Sequence, residues 1–168
     1  MKNSATQSDL RVSAPPRGNH MELAIAEARA GRAKREGGPF GAVVARGDEV
    51  IAACHNTVLA TNDPTAHAEV NAIRAACEKL GRPHLDDCEL YTTCEPCPMC
   101  LGAIQWARFK TVYYAAGRHD AADAGFDDAG FHDDAAKPPA QRKTPFVQTN
   151  PQDAAAMMRQ WNDAPLAY

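Results

Sequence analysis

The chain has 168 residues, of which 45% are hydrophobic, and a formal net charge of −3, which suits one globular domain with its own core. The acidic balance argues against nucleic acid, whose binding draws mainly on Lys and Arg contacts to phosphate. The sequence has no apolar run long enough to span a membrane, and its N-terminus lacks the apolar core of a secretory signal. Three of the six cysteines cluster in a metal-type motif, which favours a reducing compartment over a disulfide framework, so we expect a cytoplasmic protein.

The first half of the chain predicts a tail, a helix, a hairpin and a second helix. In chain order, these are a polar mobile tail over residues 1–18, a helix over 19–36, strands over 40–45 and 50–55, and a helix over 64–80. Gly37, Gly38 and Pro39 are expected to stop the first helix, and Gly81 the second.

The second half predicts a strand, helix and strand, followed by a long irregular segment. The elements are a strand over residues 88–93, a helix over 98–107, a strand over 110–115, a short strand at 145–148 and a helix over 152–163. A strand, helix and strand in this order predict a parallel crossover. Residues 117–145 are rich in aspartate and weak in periodicity, which is typical of a solvated acidic loop.

The cysteine cluster Cys94-Glu-Pro-Cys97-Pro-Met-Cys100 has the spacing of a zinc site. If a helix starts near Pro98, then Cys97 and Cys100 lie on one side of its first turn. The helix N-terminus also favours thiolate over thiol. His67 supplies a third ligand, so the fourth tetrahedral position of the Zn²⁺ stays open for water.

Glu69 lies two residues after His67 and completes a hydrolytic site. A carboxylate beside a zinc-bound water can take its proton and pass it to a leaving amine. Residues two apart on a regular helix do not face the same way, so the pair must lie at an irregular helix start. Asp63 is the expected cap of that helix, with Pro64 inside it.

Two other interpretations of the cysteines stay open at this point. Cys94 could join Cys97, Cys100 and His67 in a closed structural site without a water. A redox Cys-x-x-Cys pair is a weaker alternative, since it leaves the His-x-Glu motif unexplained. Cys54, Cys77 and Cys88 lie in apolar stretches and are expected in the core.

Two motifs together resemble the cytidine deaminase-like superfamily of zinc deaminases: residues 62–69 (Asn-Asp-Pro-Thr-Ala-His-Ala-Glu) and residues 94–104 (Cys-Glu-Pro-Cys-Pro-Met-Cys-Leu-Gly-Ala-Ile). Two bacterial branches share these motifs, the tRNA adenosine deaminases and the guanine deaminases. Residues 120–128 (Asp-Ala-Ala-Asp-Ala-Gly-Phe-Asp-Asp), together with Pro145-Phe and the terminal Tyr168, look like the guanine deaminases. The resemblance covers residues 19–168, and its match is loose over 129–143.

The resemblance implies an α/β protein, a three-layer α/β/α cytidine deaminase-like fold around a central mixed five-stranded sheet. Residues 19–168 would form one zinc deaminase domain. The protein would be a homodimer in which residues 145–168 are exchanged and close the partner's active site. It would hydrolyse guanine to xanthine and ammonia, with aminotriazines such as ammeline as a side activity.

Residue roles carry over position by position from the same resemblance. His67, Cys97 and Cys100 match the ligands of one Zn²⁺ with a bound water, and Glu69 matches the proton shuttle. The remaining matches are Asn56 as a hydrogen-bond partner of the base, Phe40 as a pocket aromatic, Asp128 as the acid that contacts the guanine amine and helps to move protons, Tyr168 as a lid, and Trp106 as a further residue facing the pocket. Spacing alone instead favours core packing for Phe40, a turn cap for Asn56 and a solvated loop for Asp128.

Two competing functions remain. A tRNA adenosine deaminase would need a basic face for RNA, and the acidic residues 120–134 speak against it. A non-catalytic zinc-stabilised interaction module would have no use for Glu69.

Overall fold

A computed structural model describes residues 18–161. Most of the predicted N-terminal tail therefore lies outside the described residues, and so does Tyr168 with its predicted lid role. None of the helices within residues 18–161 is long and apolar enough to cross a bilayer.

A mixed four-stranded sheet forms the centre of the fold. Its strands are β1 (Gly41–Arg46), β2 (Glu49–His55), β3 (Glu89–Cys94) and β4 (Thr111–Ala116). They lie in the order β2-β1-β3-β4, with β1 antiparallel to β2 and β3, and β3 parallel to β4. The predicted hairpin and the predicted parallel crossover are both confirmed.

The fifth strand that the resemblance implied is absent from the described part of the chain. Residues 145–148, predicted as a short strand, pair with no other strand there. Phe146 and Val147 are 55% and 80% exposed, so this segment lacks the burial that drives apolar residues into a sheet.

Within residues 18–161 there are seven α-helices and one short 3-10 helix, Pro139–Gln141. Their bounds are α1 (His20–Lys34), α2 (Val58–Thr61), α3 (Ala68–Leu80), α4 (Pro98–Ala107), α5 (Arg118–Asp123), α6 (Ala129–Ala135) and α7 (Pro151–Gln160). The segment 117–145 is therefore not the plain loop that its composition predicted. Short helices form there because side chains cap their first turns, as where the carboxylate of Asp120 accepts a 2.8 Å bond from the Gly117 N–H.

Side chains alternate between the two faces of the sheet along each strand, so the core consists of two clusters, one on each face. Val43, Ala45 and Tyr91 form one cluster with Ala24 of α1. Val44 and its neighbours pack instead with buried residues of α3 and α4. The predicted three-layer α/β/α arrangement is confirmed, and Cys88, with Cys54 and Cys77 packed at its margin, belongs to the second cluster as expected.

Gly41 lets α1 approach the sheet closely. A Cβ at this position would overlap the Ala24 carbonyl and come within 2.7 Å of the Ala28 nitrogen. Such a close contact needs a residue without a side chain.

Candidate active site

The upstream half of the site lies at the start of α3. His67 is the residue that caps this helix, with an extended backbone (φ −68°, ψ 154°), and Glu69 lies in the first turn. The predicted irregular helix start is confirmed, but the predicted boundary is wrong. Asp63 and Pro64 precede the helix, because the Asp63 carboxylate closes a local turn instead, accepting a 2.8 Å bond from the Thr65 N–H.

The downstream half lies at the start of α4. Cys97 caps this helix and Pro98 takes its first position, as predicted. Nδ1 of His67 is 3.7 Å from Sγ of Cys97 and 3.5 Å from Sγ of Cys100. The three ligand atoms all lie within 4.8 Å of one another, which fits a tetrahedral zinc centre with one nitrogen and two sulfur ligands.

The pKa values of the two thiols are shifted in opposite directions. The hydrogen bond with Cys100 lowers the pKa of Cys97 to about 4, against the opposing effect of burial, and His67 lowers it further. The same hydrogen bond raises the pKa of Cys100, and so does its burial. One thiolate is therefore ready for a metal, and binding would displace the second proton.

Cys94 lies apart from this group. Its Sγ is 3.9 Å from the Gly117 carbonyl oxygen, and it is not among the residues whose ligand atoms converge. Three protein ligands leave a fourth position for water, which is the catalytic arrangement rather than the closed structural one.

Glu69 is held in a buried, oriented position beside the metal ligands. Its side chain is 6% exposed, and its Oε1 accepts a 3.1 Å bond from the Thr92 hydroxyl on β3. Burial raises the pKa of Glu69, against the opposing effect of its hydrogen bonds. A carboxyl group tuned upward in this way is suited to take up and return a proton.

A cavity of about 820 Å³ opens over these residues. Phe40 and Phe126 form part of its wall, with their rings edge to face and their centroids 4.9 Å apart. Phe126 interrupts the aspartates of residues 120–128. Its position in the cavity wall explains why an aromatic residue lies within that segment. The volume and the aromatic wall suit a flat heterocyclic ligand.

Asn56 is buried at the edge of this cavity. Its Oδ1 accepts bonds from the N–H groups of Gly38 (3.3 Å) and Val58 (3.2 Å). Because both bonds use the carbonyl end, the NH₂ group is the end that can donate to a ligand. Gly37 makes room for this arrangement, since a Cβ there would overlap Oδ1 of Asn56.

Two neighbouring aspartates line the cavity but differ in their contacts. Oδ1 of Asp127 accepts a 2.9 Å bond from the Ala129 N–H and so caps a local turn. Asp128 precedes α6 and lines the same cavity as Glu69. Burial raises the pKa of the Cys94 thiol, and the charges of Glu69 and Asp128 raise it further. The structure thus places Asp128 at the site, where spacing alone favoured a solvated loop.

Trp106 does not line this cavity, and the expectation that it faces the pocket is wrong. It lies on α4 and is 67% exposed. It borders a separate, smaller cleft with Val70 and Ile73.

Asn71 is a positioning residue that sequence reasoning missed. Its Nδ2 lies 3.0 Å from the His55 carbonyl oxygen, 3.0 Å from the Thr57 hydroxyl and 3.3 Å from the Ala66 carbonyl oxygen. It thereby ties the segment around Asn56 to the segment that carries His67. A polar residue inside an apolar helical pattern was the available signal.

His55 forms a second cluster beside the site. Its Nδ1 is 2.9 Å from Oε2 of Glu27, and its Nε2 is 2.6 Å from Oε2 of Glu36. Burial lowers the pKa of His55, but the two carboxylates outweigh it, so the net shift is upward from 6.5. The backbone oxygen of Glu36 accepts bonds from the N–H groups of Leu59 and Ala60, so this cluster supports the loop around the cavity.

Replacing His55 by Gln is expected to destabilise the fold in a pH-dependent way. Because the folded-state pKa is raised, the stabilisation is full below about pH 6.5 and is lost as the pH rises through the folded value. Thermal unfolding should show a loss of about 1–2 kcal/mol near pH 5.5 and a smaller loss near pH 9.

The matched control is Glu49→Gln, which removes the exposed ion pair of Glu49 with Arg46. It should cost less than about 0.5 kcal/mol at either pH. An equal loss at both pH values for His55→Gln would contradict the assignment of charge to this cluster.

The chain matches known proteins along most of its length. The family model for the cytidine and deoxycytidylate deaminase zinc-binding region matches residues 16–116. Guanine deaminase from Bacillus subtilis is 54% identical over 127 residues, which are 76% of this chain and 81% of that protein. tRNA-specific adenosine deaminase from Agrobacterium fabrum is 47% identical over 100 residues, 60% of this chain and 65% of that protein.

A solved structure agrees with the described fold. The X-ray structure of guanine deaminase from Bacillus subtilis superposes with a TM-score of 0.85 at 47% identity, covering 92% of this chain and 99% of that one. A match of this coverage includes most of the chain beyond residue 116. On the matched region, the relatives and the converging ligand residues, the chain belongs to the cytidine and deoxycytidylate deaminase zinc-binding family, as a zinc-dependent aminohydrolase similar to guanine deaminase.

Proposed function

We propose that this protein hydrolyses guanine to xanthine and ammonia, with one Zn²⁺ held by His67, Cys97 and Cys100. The observation that carries the proposal is the buried Glu69 beside these three ligands, at the base of a cavity of about 820 Å³. The likeness to guanine deaminase supports the substrate, because it continues past the zinc region into the segment that contains Asp128.

Glu69 carries the proton in this mechanism. Zn²⁺ on such a site supplies acidity that makes water a nucleophile near neutral pH. The Glu69 carboxylate takes a proton from the water that attacks C2 of guanine. Glu69 then returns the proton to the leaving amino group, which departs as ammonia. The raised pKa of Glu69 suits both the uptake and the return of the proton. The hydrogen bond from Thr92 fixes the orientation of the carboxylate.

The base is held by the cavity wall and by two polar side chains. Phe40 and Phe126 cover its apolar faces, and the Asn56 NH₂ group donates to an acceptor atom of the ring. Asp128 accepts from the guanine amine and assists its protonation. A closed cavity with few waters strengthens both contacts.

A tRNA adenosine deaminase is the second candidate, since relatives of that name match the zinc region. The match to the Agrobacterium protein spans 60% of the chain, against 76% for guanine deaminase. The acidic segment around Asp127 and Asp128 also disfavours an RNA backbone at the cavity mouth.

The test is xanthine formation by the purified, zinc-loaded protein. Guanine is expected to be converted to xanthine, and guanosine, which carries a ribose on the same base, serves as the matched substrate control. Ammeline, offered in parallel, tests the predicted aminotriazine side activity. Failure to form xanthine from guanine, with zinc bound, would refute the proposed function.

The homodimer with exchanged C-terminal segments belongs to this proposal. The last described helix supports it: within α7, Met157 and Met158 are 64% and 65% exposed, and Trp161 beside it is 58% exposed. No residue of α7 is buried. Exposed apolar side chains of this kind mark an interaction surface, and a second subunit would bury them. In this arrangement Tyr168 closes the partner's cavity.

Mixing two impaired variants tests the exchange. Glu69→Gln removes the shuttle, and Tyr168→Ala removes the lid. A mixed dimer holds one site with an intact Glu69 and an intact Tyr168 only if the lid comes from the other subunit. After unfolding and refolding together, the mixture is expected to exceed the activity of both parents. Activity no higher than the average of the separate variants would show that Tyr168 acts within its own chain.

A further inference from the structure

We propose that His132 is a positioning residue for the reaction, acting by holding the carboxylate of Asp128 in place. The inference rests on the proposed function, because it concerns the acid assigned there to the guanine amine. It concerns a residue in the segment 129–143, where the resemblance to the guanine deaminases is loose.

Helix α6 brings the two side chains together. Asp128 caps the helix and His132 follows one turn later, where its backbone N–H bonds to the Asp128 carbonyl oxygen at 3.2 Å. Nε2 of His132 is 3.3 Å from Oδ2 of Asp128. Residues four apart share one face of a helix, so the local fold itself imposes this contact.

The ring nitrogen that meets the carboxylate is buried. Nε2 of His132 is one of two buried side-chain polar atoms within residues 18–161 that have no aligned hydrogen bond, the other being Nδ1 of His84. The His132 side chain as a whole is 26% exposed, so another edge of the ring meets solvent. A buried polar atom without a partner is costly, and a small rotation toward Oδ2 of Asp128 removes that cost.

A hydrogen bond at this 3.3 Å contact would engage one oxygen of Asp128 and leave the other available. When Nε2–H donates to Oδ2, the remaining oxygen can face the cavity, and the carboxylate loses its freedom to rotate away from the base. Fixing a reacting group in advance raises the rate without new contacts to the substrate. Asp127 does not substitute, because its own carboxylate caps the turn at Ala129.

Asp128 lines the cavity together with other charged and titratable groups, whereas His132 lies behind it on α6. From the neighbouring elements these groups are Arg32, His67, Glu69, Cys94, Glu95, Cys97 and Arg118. Because these groups include both cations and anions, the position of a carboxylate here depends on the partner that restrains it. His132 is the basic group that the structure pairs with Asp128.

The experiment compares His132→Leu, His132→Gln and the control Asp133→Leu. Asp133 lies on the same helix, exposed and away from the cavity lining. His132→Leu is expected to lower kcat/KM for guanine by about 10-fold, mostly in kcat, as for the loss of a hydrogen bond to a charged group. Gln keeps a donor and should restore part of the rate. Asp133→Leu should leave the rate unchanged.

The same variants are then made in an Asp128→Asn background. If His132 acts through Asp128, His132→Leu has little further effect there. Full activity of His132→Leu, or an equal loss in both backgrounds, would overturn the inference. If the unchanged protein forms no xanthine, the proposed function itself fails, which is a separate result.

Discussion

Replacing Glu69 by Gln is expected to reduce guanine turnover by about 10²–10⁴-fold while zinc stays bound. The amide keeps nearly the same shape and its contact with Thr92, but it cannot take a proton from water. The loss should fall on kcat, because proton transfer occurs in the transition state and substrate binding does not require it. Xanthine formation and metal content, measured on the same sample, check this.

Glu95→Gln is the matched control. Glu95 also lines the cavity, but its carboxylate accepts a 3.2 Å bond from the Arg118 N–H and is not oriented by Thr92. Its substitution should change kcat by only a small factor. If Glu69→Gln released ammonia at the normal rate, Glu69 would not be the proton carrier.

Replacing Cys100 by Ala is expected to abolish both zinc binding and activity. Cys100 is fully buried and supplies one of three converging ligand atoms. Loss of a direct ligand should weaken zinc binding by more than the ~10–100-fold that follows loss of an outer-shell partner. Metal analysis after dialysis, and competition with a chelator, measure this.

Cys94→Ala is the counterpart that separates the two kinds of zinc site. Cys94 is also a buried cysteine, but its Sγ is directed toward the Gly117 carbonyl oxygen, so the variant should keep its zinc. Loss of zinc from Cys94→Ala would instead indicate a closed site with four protein ligands and no place for water.

The chemistry of the site could be predicted from the sequence because it depends on residue types at short spacing. Cys97, Pro98 and Cys100 lie within one turn, so local geometry alone brings the sulfurs together. His67 and Glu69 likewise share one helix start. The two motifs lie on separate segments, and the resemblance to a known family indicated that they form one site, which local spacing could not do.

The contacts that orient the site were not predictable in the same way. Thr92 reaches Glu69 from a strand 23 residues away, and Asn71 bonds to residues on both sides of the cavity loop. Such pairings depend on the packing of α3 against the sheet, which no local pattern encodes. The boundary of α3 was missed for a related reason, since Asp63 satisfies a nearer turn before the helix begins.

For the segment after β4, the prediction from composition was wrong. Its aspartates suggested a solvated loop, yet several of them cap short helices or line the cavity, as Asp120 and Asp128 do. Composition reports the average polarity of a segment, whereas its structure depends on which backbone N–H each carboxylate meets.

The measurement that tests the central claim most directly is ammonia release by the zinc-loaded protein, with guanine and a tRNA anticodon stem offered in parallel. We predict rapid release from guanine and none from the RNA. Release from the RNA alone would contradict the account, because the aromatic cavity and Asp128 would then have been assigned to the wrong substrate.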